Sequence, residues 1–257
     1  MKKPILYKNY YPYFFLLLFF IGSCAPKAED TFTKNNQFSF PKNKIWAHRV
    51  NSLEEVATKN ERFEGLEVDL FYSKKTNSLF VAHDEKDIEN EILFTDWLNN
   101  IPNPEKNWYW LDLKNLNKRN AKKITELLSE ILNNFDIKSK TICESNRAKA
   151  LYILKNQGFA VSYWVNSKKD YQTKKEETNT KRWKRKIEKT IFYLNPDALS
   201  CHFWISPLLD TSFPNENIMY WHSPAEFTPE NVEITKRLCS IPNVKVVLVD
   251  YETPIAY

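Results

Sequence analysis

Eight short apolar runs alternate with amphipathic stretches from Lys44 onward, and this alternation limits the chain to very few architectures. The strand-like runs are 44–49, 65–71, 108–114, 140–145, 159–166, 197–203, 217–222 and 244–250. Helical patterns fall between them at 52–60, 93–100, 119–134, 146–156, 180–194, 205–210 and 229–240. The pattern in 119–134 is the clearest: Ile124, Leu127, Leu128, Ile131 and Leu132 recur at helical spacing with charges opposite. Strands that alternate with helices build parallel sheets, and eight of them in one domain predict a (β/α)8 TIM barrel. An additional run, Leu79 to His83, follows Lys74-Lys75-Thr76-Asn77 and predicts a hairpin strand inside the second βα connection.

The strand ends carry the chemistry. Each run closes on a group able to hydrogen-bond or ligate: His48/Arg49, Glu67/Asp69, Asp112/Lys114, Glu144, Asn166, His202, His222 and Asp250. In a (β/α)8 barrel these C-terminal ends form one face, where function gathers. Glu67 and Asp69 are two apart on a strand, so they project to the same side, about 7 Å apart at Cα. Carboxylates this close repel unless a cation lies between them. Hard divalent ions, Mg2+ or Ca2+, suit such oxygen donors. Asp112 repeats the position on the next parallel strand, and Lys114 faces the same way to neutralise a phosphate oxygen or the carboxylates. His48 and His83 form a candidate acid–base pair, with Asp84 available to orient an imidazole. Arg49 can bind phosphate bidentately. Together these residues suit cleavage of a phosphodiester beside a divalent metal.

The run His48-Arg49-Val50, Glu67-Val68-Asp69, His83-Asp84 and Asp112-Leu113-Lys114 resembles the glycerophosphodiester phosphodiesterase family, within the phosphatidylinositol-phospholipase-C-like barrels. That family reads His-Arg-Gly, Glu-x-Asp, His-Asp and Glu-x-Lys. The resemblance implies His48 and His83 as the catalytic pair and Glu67, Asp69 and Asp112 as metal ligands. It implies a small phosphodiester substrate. From their own chemistry and strand positions, Arg49 and Lys114, and Glu144, Trp164 and His222 further along the chain, are candidate substrate contacts. Trp164 and Trp221 would pack over glycerol or a headgroup cation. The match is specific over 45–114 and rests on strand order beyond it. Val50 stands where the family has glycine, so the loop after the first strand must differ. Asp112 is one methylene shorter than the family's glutamate, so a metal must sit closer or take a water. His48-Arg49-Val50-Asn51-Ser52 also resembles the His-Ala-Val-Asn-Ser run of the menorin barrels. A rival reading is a barrel without turnover that binds a ligand or partner.

Composition narrows the alternatives. Three glycines in 257 residues exclude a glycine-rich phosphate loop. The net charge of +5 is concentrated in 168–190, so no basic face for nucleic acid is expected. Lys2, Lys3 and Lys8 precede the apolar run Phe14–Ile21, which is too short to span a bilayer. The run ends Ile21-Gly22-Ser23-Cys24, similar to a bacterial lipobox. Residues 1–23 are therefore expected to be a lipoprotein signal peptide, with lipid on Cys24 as the membrane anchor. Residues 24–42 read as a polar tether and 43–257 as the barrel. Ala25 rather than Asp after the cysteine favours the outer membrane of a bacterial envelope. A monomer is expected. Cys143, Cys201 and Cys239 read as small buried apolar residues.

Overall fold

The computed structural model describes residues 38–90, 92–166, 176–223, 226–252 and 254–255. The signal segment, Cys24 and most of the tether lie outside these residues. Nine strands form one sheet: β1 (Ile45–Ala47), β2 (Gly65–Ser73), β3 (Ser78–Val81), β4 (Trp108–Leu113), β5 (Thr141–Ser145), β6 (Ala160–Trp164), β7 (Ala198–His202), β8 (Ile218–Trp221) and β9 (Val244–Val249). Eight are parallel and close on themselves, because β1 pairs with both β9 and β2. The remaining strand, β3, runs antiparallel along the outer half of β2, from Leu70↔Val81 to Ser73↔Ser78. This is the expected (β/α)8 barrel with a hairpin in its second connection.

Helices fill the connections: α1 (Leu53–Lys59), α2 (Phe94–Asn99), α3 (Ala121–Asn134), α4 (Ala148–Lys155), α5 (Glu176–Leu194), α6 (Ser206–Ser212) and α7 (Pro229–Ser240). Local chemistry sets their starts. Ser52 caps α1 by accepting from the Glu55 amide at 3.1 Å, while Glu55 accepts from the Asn51 amide at 2.9 Å. The first bond satisfies an amide that the first helical turn leaves unbonded, and the second ties the residue before the cap to that turn. In α3 the buried face is Ala121, Ile124, Thr125, Leu128 and Leu132.

Two apolar layers result. Outward strand residues such as Leu66, Val68 and Leu111 pack under the helices. Inward residues Trp46, Trp110, Ile142, Ala198, Met219 and Val246 fill the barrel. Trp46 explains Gly65: a Cβ there would lie 2.0 Å from the indole. Phe38 seals the N-terminal end, its ring 5.4 Å from that of Trp108. With this end plugged, the C-terminal ends are left to form a pocket. Cys143, Cys201 and Cys239 are buried free thiols. Among the described residues, no helix is long and apolar enough to cross a membrane.

Candidate active site

A cavity of about 430 Å³ opens at the C-terminal ends of the strands. His48, Arg49, Glu67, His83, Asp112, Lys114, Glu144 and Trp164 all line it. Strand register builds the carboxylate row: Asp69 pairs with Asp112 and Asp112 with Glu144, so three adjacent strands carry acids at one level. Glu67 lies one inward position earlier. One oxygen from each of Glu67, Asp69 and Asp112 falls within 4.8 Å of the others.

Lys114 Nζ joins two of these acids, 2.7 Å from Asp69 Oδ1 and also paired with Asp112 Oδ2. Asn51 takes the other oxygen of Asp69, its amide nitrogen donating at 2.7 Å, and its carbonyl accepts from the Asp69 amide at 3.0 Å. Burial drives the Asp69 carboxyl upward, but Lys114 and Asn51 outweigh it and hold the group below its usual range. Asp112 and Glu67 go the other way. Burial and the neighbouring acids raise both, Glu67 strongly. Lys114 is held protonated by the two carboxylates against its own desolvation.

The site bends the backbone twice. Arg49 adopts φ 51°, and its amide donates to Glu67 Oε2 at 2.7 Å. Ser223 adopts φ 49°, and its hydroxyl lies 3.0 Å from His48 Nδ1. Left-handed backbone is unfavourable for such residues, and here it sits beside the cavity at both positions. The left-handed residue of this loop is Arg49, not Val50. Val50 itself is buried, its amide donating to Glu67 O at 2.9 Å and its carbonyl accepting from the Trp97 indole at 2.8 Å.

His48 Nδ1 is 2.7 Å from Asp250 Oδ1, and Nε2 is 3.8 Å from Glu67 Oε2. Burial opposes ionisation of Asp250, yet the His48 hydrogen bond holds its carboxyl low. An ionised partner at Nδ1 selects the Nδ1–H tautomer and leaves the Nε2 lone pair toward the cavity. His83 stands exposed on the rim, two residues past β3, its Nδ1 3.2 Å from Asp84 Oδ2.

One expected contact is displaced. His222 lies off the cavity, its ring 4.4 Å from that of Phe203 beside the helical layer, because β8 points Trp221 inward and the next residue outward. Burial lowers its pKa. The cavity instead receives His202, Trp221, Ser223 and Asp250, together with Trp110 from β4. Trp110 was discernible in sequence, two residues before Asp112 and hence on the same strand face.

The donor set suits a hard divalent cation: three carboxylate oxygens converge, and one ammonium cannot balance three acids. A (β/α)8 barrel with paired acids, histidines and cations at its C-terminal mouth is the class of protein defined by this geometry. Solved structures share the fold. A glycerophosphodiester phosphodiesterase from Parabacteroides distasonis superposes with a TM-score of 0.59 at 14% identity, over 82% of this chain and 94% of that one. A phosphodiesterase from Oleispira antarctica, solved with its product sn-glycerol-3-phosphate, gives 0.58 at 14% identity, over 83% and 94%. A glycerol uptake operon antiterminator regulatory protein from Listeria monocytogenes gives 0.51 at 12% identity, over 84% and 96%. No protein-family model matches the chain, and no curated protein does.

Proposed function

We propose that this protein is a metal-dependent phosphodiester hydrolase acting on glycerophosphodiesters or related lipid-derived headgroups. One observation carries the reading: the His48–Asp250 pair opens Nε2 into the same cavity as the Glu67/Asp69/Asp112 cluster and Lys114. The fold shared with the Parabacteroides enzyme, and the glycerol phosphate held by the Oleispira one, agree with it.

In this mechanism a substrate hydroxyl beside the phosphate attacks phosphorus and expels the alcohol, giving a cyclic phosphodiester that water then opens to glycerol phosphate with the two histidines exchanging roles. His48 Nε2 takes the hydroxyl proton, and Asp250 stabilises the imidazolium that forms. His83 donates a proton to the departing ester oxygen, with Asp84 orienting its ring. Arg49 and Lys114 offset charge on the phosphoryl oxygens. Glu67, Asp69 and Asp112 would hold Mg2+ or Ca2+, which when bound supplies further charge stabilisation to the phosphoryl group. Turnover of glycerophosphocholine and glycerophosphoglycerol, with and without each metal, tests the reading. No release of glycerol phosphate under any condition would sink it and favour a binding barrel.

The reading includes an envelope location, with the barrel tethered through a lipidated Cys24 at the outer membrane. It rests on Lys2/Lys3, the apolar run and Ile21-Gly22-Ser23-Cys24.

A further inference from the structure

The outer helices of the barrel carry two kinds of solvent face. On α3 the exposed residues Lys122, Lys123, Glu126 and Glu130 mix both signs, and Lys123 pairs with Glu126 at 3.0 Å. On α7 the exposed Glu230, Glu233, Lys236 and Arg237 do the same. Mixed charge of this kind is what a helix surface in water ordinarily shows. α5 departs from it. Between residues 181 and 189 the sequence has six cations and one acid, Glu188.

At 100° per residue, Trp183, Ile187 and Leu194 share one side of α5 and are buried against the barrel. Arg182, Arg185, Lys186, Lys189, Phe192 and Tyr193 share the other side and are exposed. The four cations of that side form no ion pair among the described residues, and Glu188 falls at its edge. Phe192 is 93% exposed and Tyr193 46%. Tyr152 of α4 extends the aromatic end, its ring 4.9 Å from that of Tyr193, and α4 brings Lys149 and no acid. Like charges three and four residues apart on a helix repel. A phenyl ring in water forgoes the burial that would stabilise it. Neither cost is offset among the described residues. An anionic lipid surface removes both: its headgroups match the cations, and the boundary below them takes the rings. An acidic protein would match the charges but leaves the phenyl ring without a reason.

We propose that this face of α5 docks the barrel on an anionic lipid surface. Phe192 and Tyr193 stand at the end of α5 that leads into β7, the end of the barrel that Phe38 seals. The docked barrel therefore rests on its flank, rings inserted at the sealed end, with its mouth open to water. The proposal requires neither lipid on Cys24 nor turnover, so it stands or falls apart from both.

The full-length chain, as the cell processes it, is mixed with vesicles of phosphatidylglycerol or of phosphatidylcholine, each carrying bromine on the acyl chains. Phe192→Trp puts a reporter in the face, and Thr76→Trp puts one in the exposed hairpin turn at the mouth end. The emission that Phe192→Trp adds should shift to the blue and be quenched on phosphatidylglycerol, and far less on phosphatidylcholine. That of Thr76→Trp should stay aqueous on both. Each cation facing an anionic surface favours the docked state roughly fivefold, so adding Arg185→Gln and Lys189→Gln should lower the docked-to-free ratio about 25-fold. Acylation at Cys24 would hold the chain on both lipids, and the comparison between them still reads the face. A reporter at 192 that stays aqueous on phosphatidylglycerol overturns the proposal. So do equal quenching on the two lipids, quenching at 76 as strong as at 192, and quenching that survives the two neutral substitutions. Poly-glutamate, a polyanion without lipid, is the last arm: the same blue shift with it would assign the face to an acidic protein and overturn the lipid.

Discussion

At the scale of single residues, the proposed mechanism gives His48 and Glu67 separable tasks. His48→Ala removes the group placed for proton transfer and should lower turnover by roughly 10²–10⁴-fold with the fold retained. A near-normal rate, with folding checked by circular dichroism, would remove it from the chemistry. Glu67→Gln should instead weaken Mg2+ or Ca2+ binding measured by calorimetry, because the amide keeps one oxygen but not the charge. Asp112→Glu should alter metal preference in the same assay, and unchanged binding would put Asp112 outside the ligand set. The carboxylates were legible in sequence because a two-residue period on a strand fixes their common face. Asp250 was visible as a strand end, but not as the partner of His48: 202 positions separate them, and only barrel closure brings them together. His222 falls outside the cavity because Met219 and Trp221 take the inward face of β8, and the all-apolar run Ile218–Trp221 shows no alternation from which that parity could be read. Ser223 and Asn51 act from turns, where no periodicity announces direction.

The elements followed the apolar pattern closely. Helix 229–240 was expected and α7 spans Pro229–Ser240; 52–60 became Leu53–Lys59. Amphipathic spacing and caps are local, so the chain displays them. What packs inside the barrel is not local, and the Gly65–Trp46 contact had no signature beyond a rare glycine. Gly65→Ala places a methyl into a fully buried indole held by β1 and its neighbours. It should destabilise by about 3 kcal/mol, the upper end of overpacking costs. Trp46→Phe in the same chain should recover part of that loss, and additive effects in the double variant would refute the contact.

Across the whole molecule, charge at the mouth ties stability to pH and metal. Glu67, Asp112 and Glu144 have carboxyls raised by burial and by neighbouring acids, Asp69 among them, above reference values of 4.5, 3.8 and 4.5. Each binds its proton more tightly when folded, so its stabilising contribution is complete below the unfolded pKa and is lost as pH rises through the folded one. Asp69 and Asp250 are lowered, and their contribution is present above 3.8 and lost as pH falls through their folded values. Metal-free protein should therefore melt at lower temperature at pH 7 than at pH 5.5. Saturating Ca2+ should reverse this at pH 7, by about 2–4 °C for each ~1 kcal/mol of binding linkage. A melting temperature flat in both variables would contradict the charge arrangement. Location is tested apart from the barrel: Cys24→Ser should leave unprocessed precursor and no lipid label. Normal cleavage and release would replace the lipobox with an ordinary signal peptide.

The join between β1 and β2 has one registered backbone pair, Ala47↔Leu66. Beyond it the ring is sewn shut through the site itself, by the Arg49 and Val50 amides on Glu67 and by Asn51 on Asp69. Two of these stitches end on the acids' own side chains, Arg49 N–H on Glu67 Oε2 and Asn51 Nδ2 on Asp69 Oδ2. Replacing either side chain should loosen this join, because the Arg49 amide and the Asn51 side chain would each lose a partner. In chains of this design, surviving acids at these two positions are a record of how the ring closes, and proof of an active enzyme must come from His48 and His83.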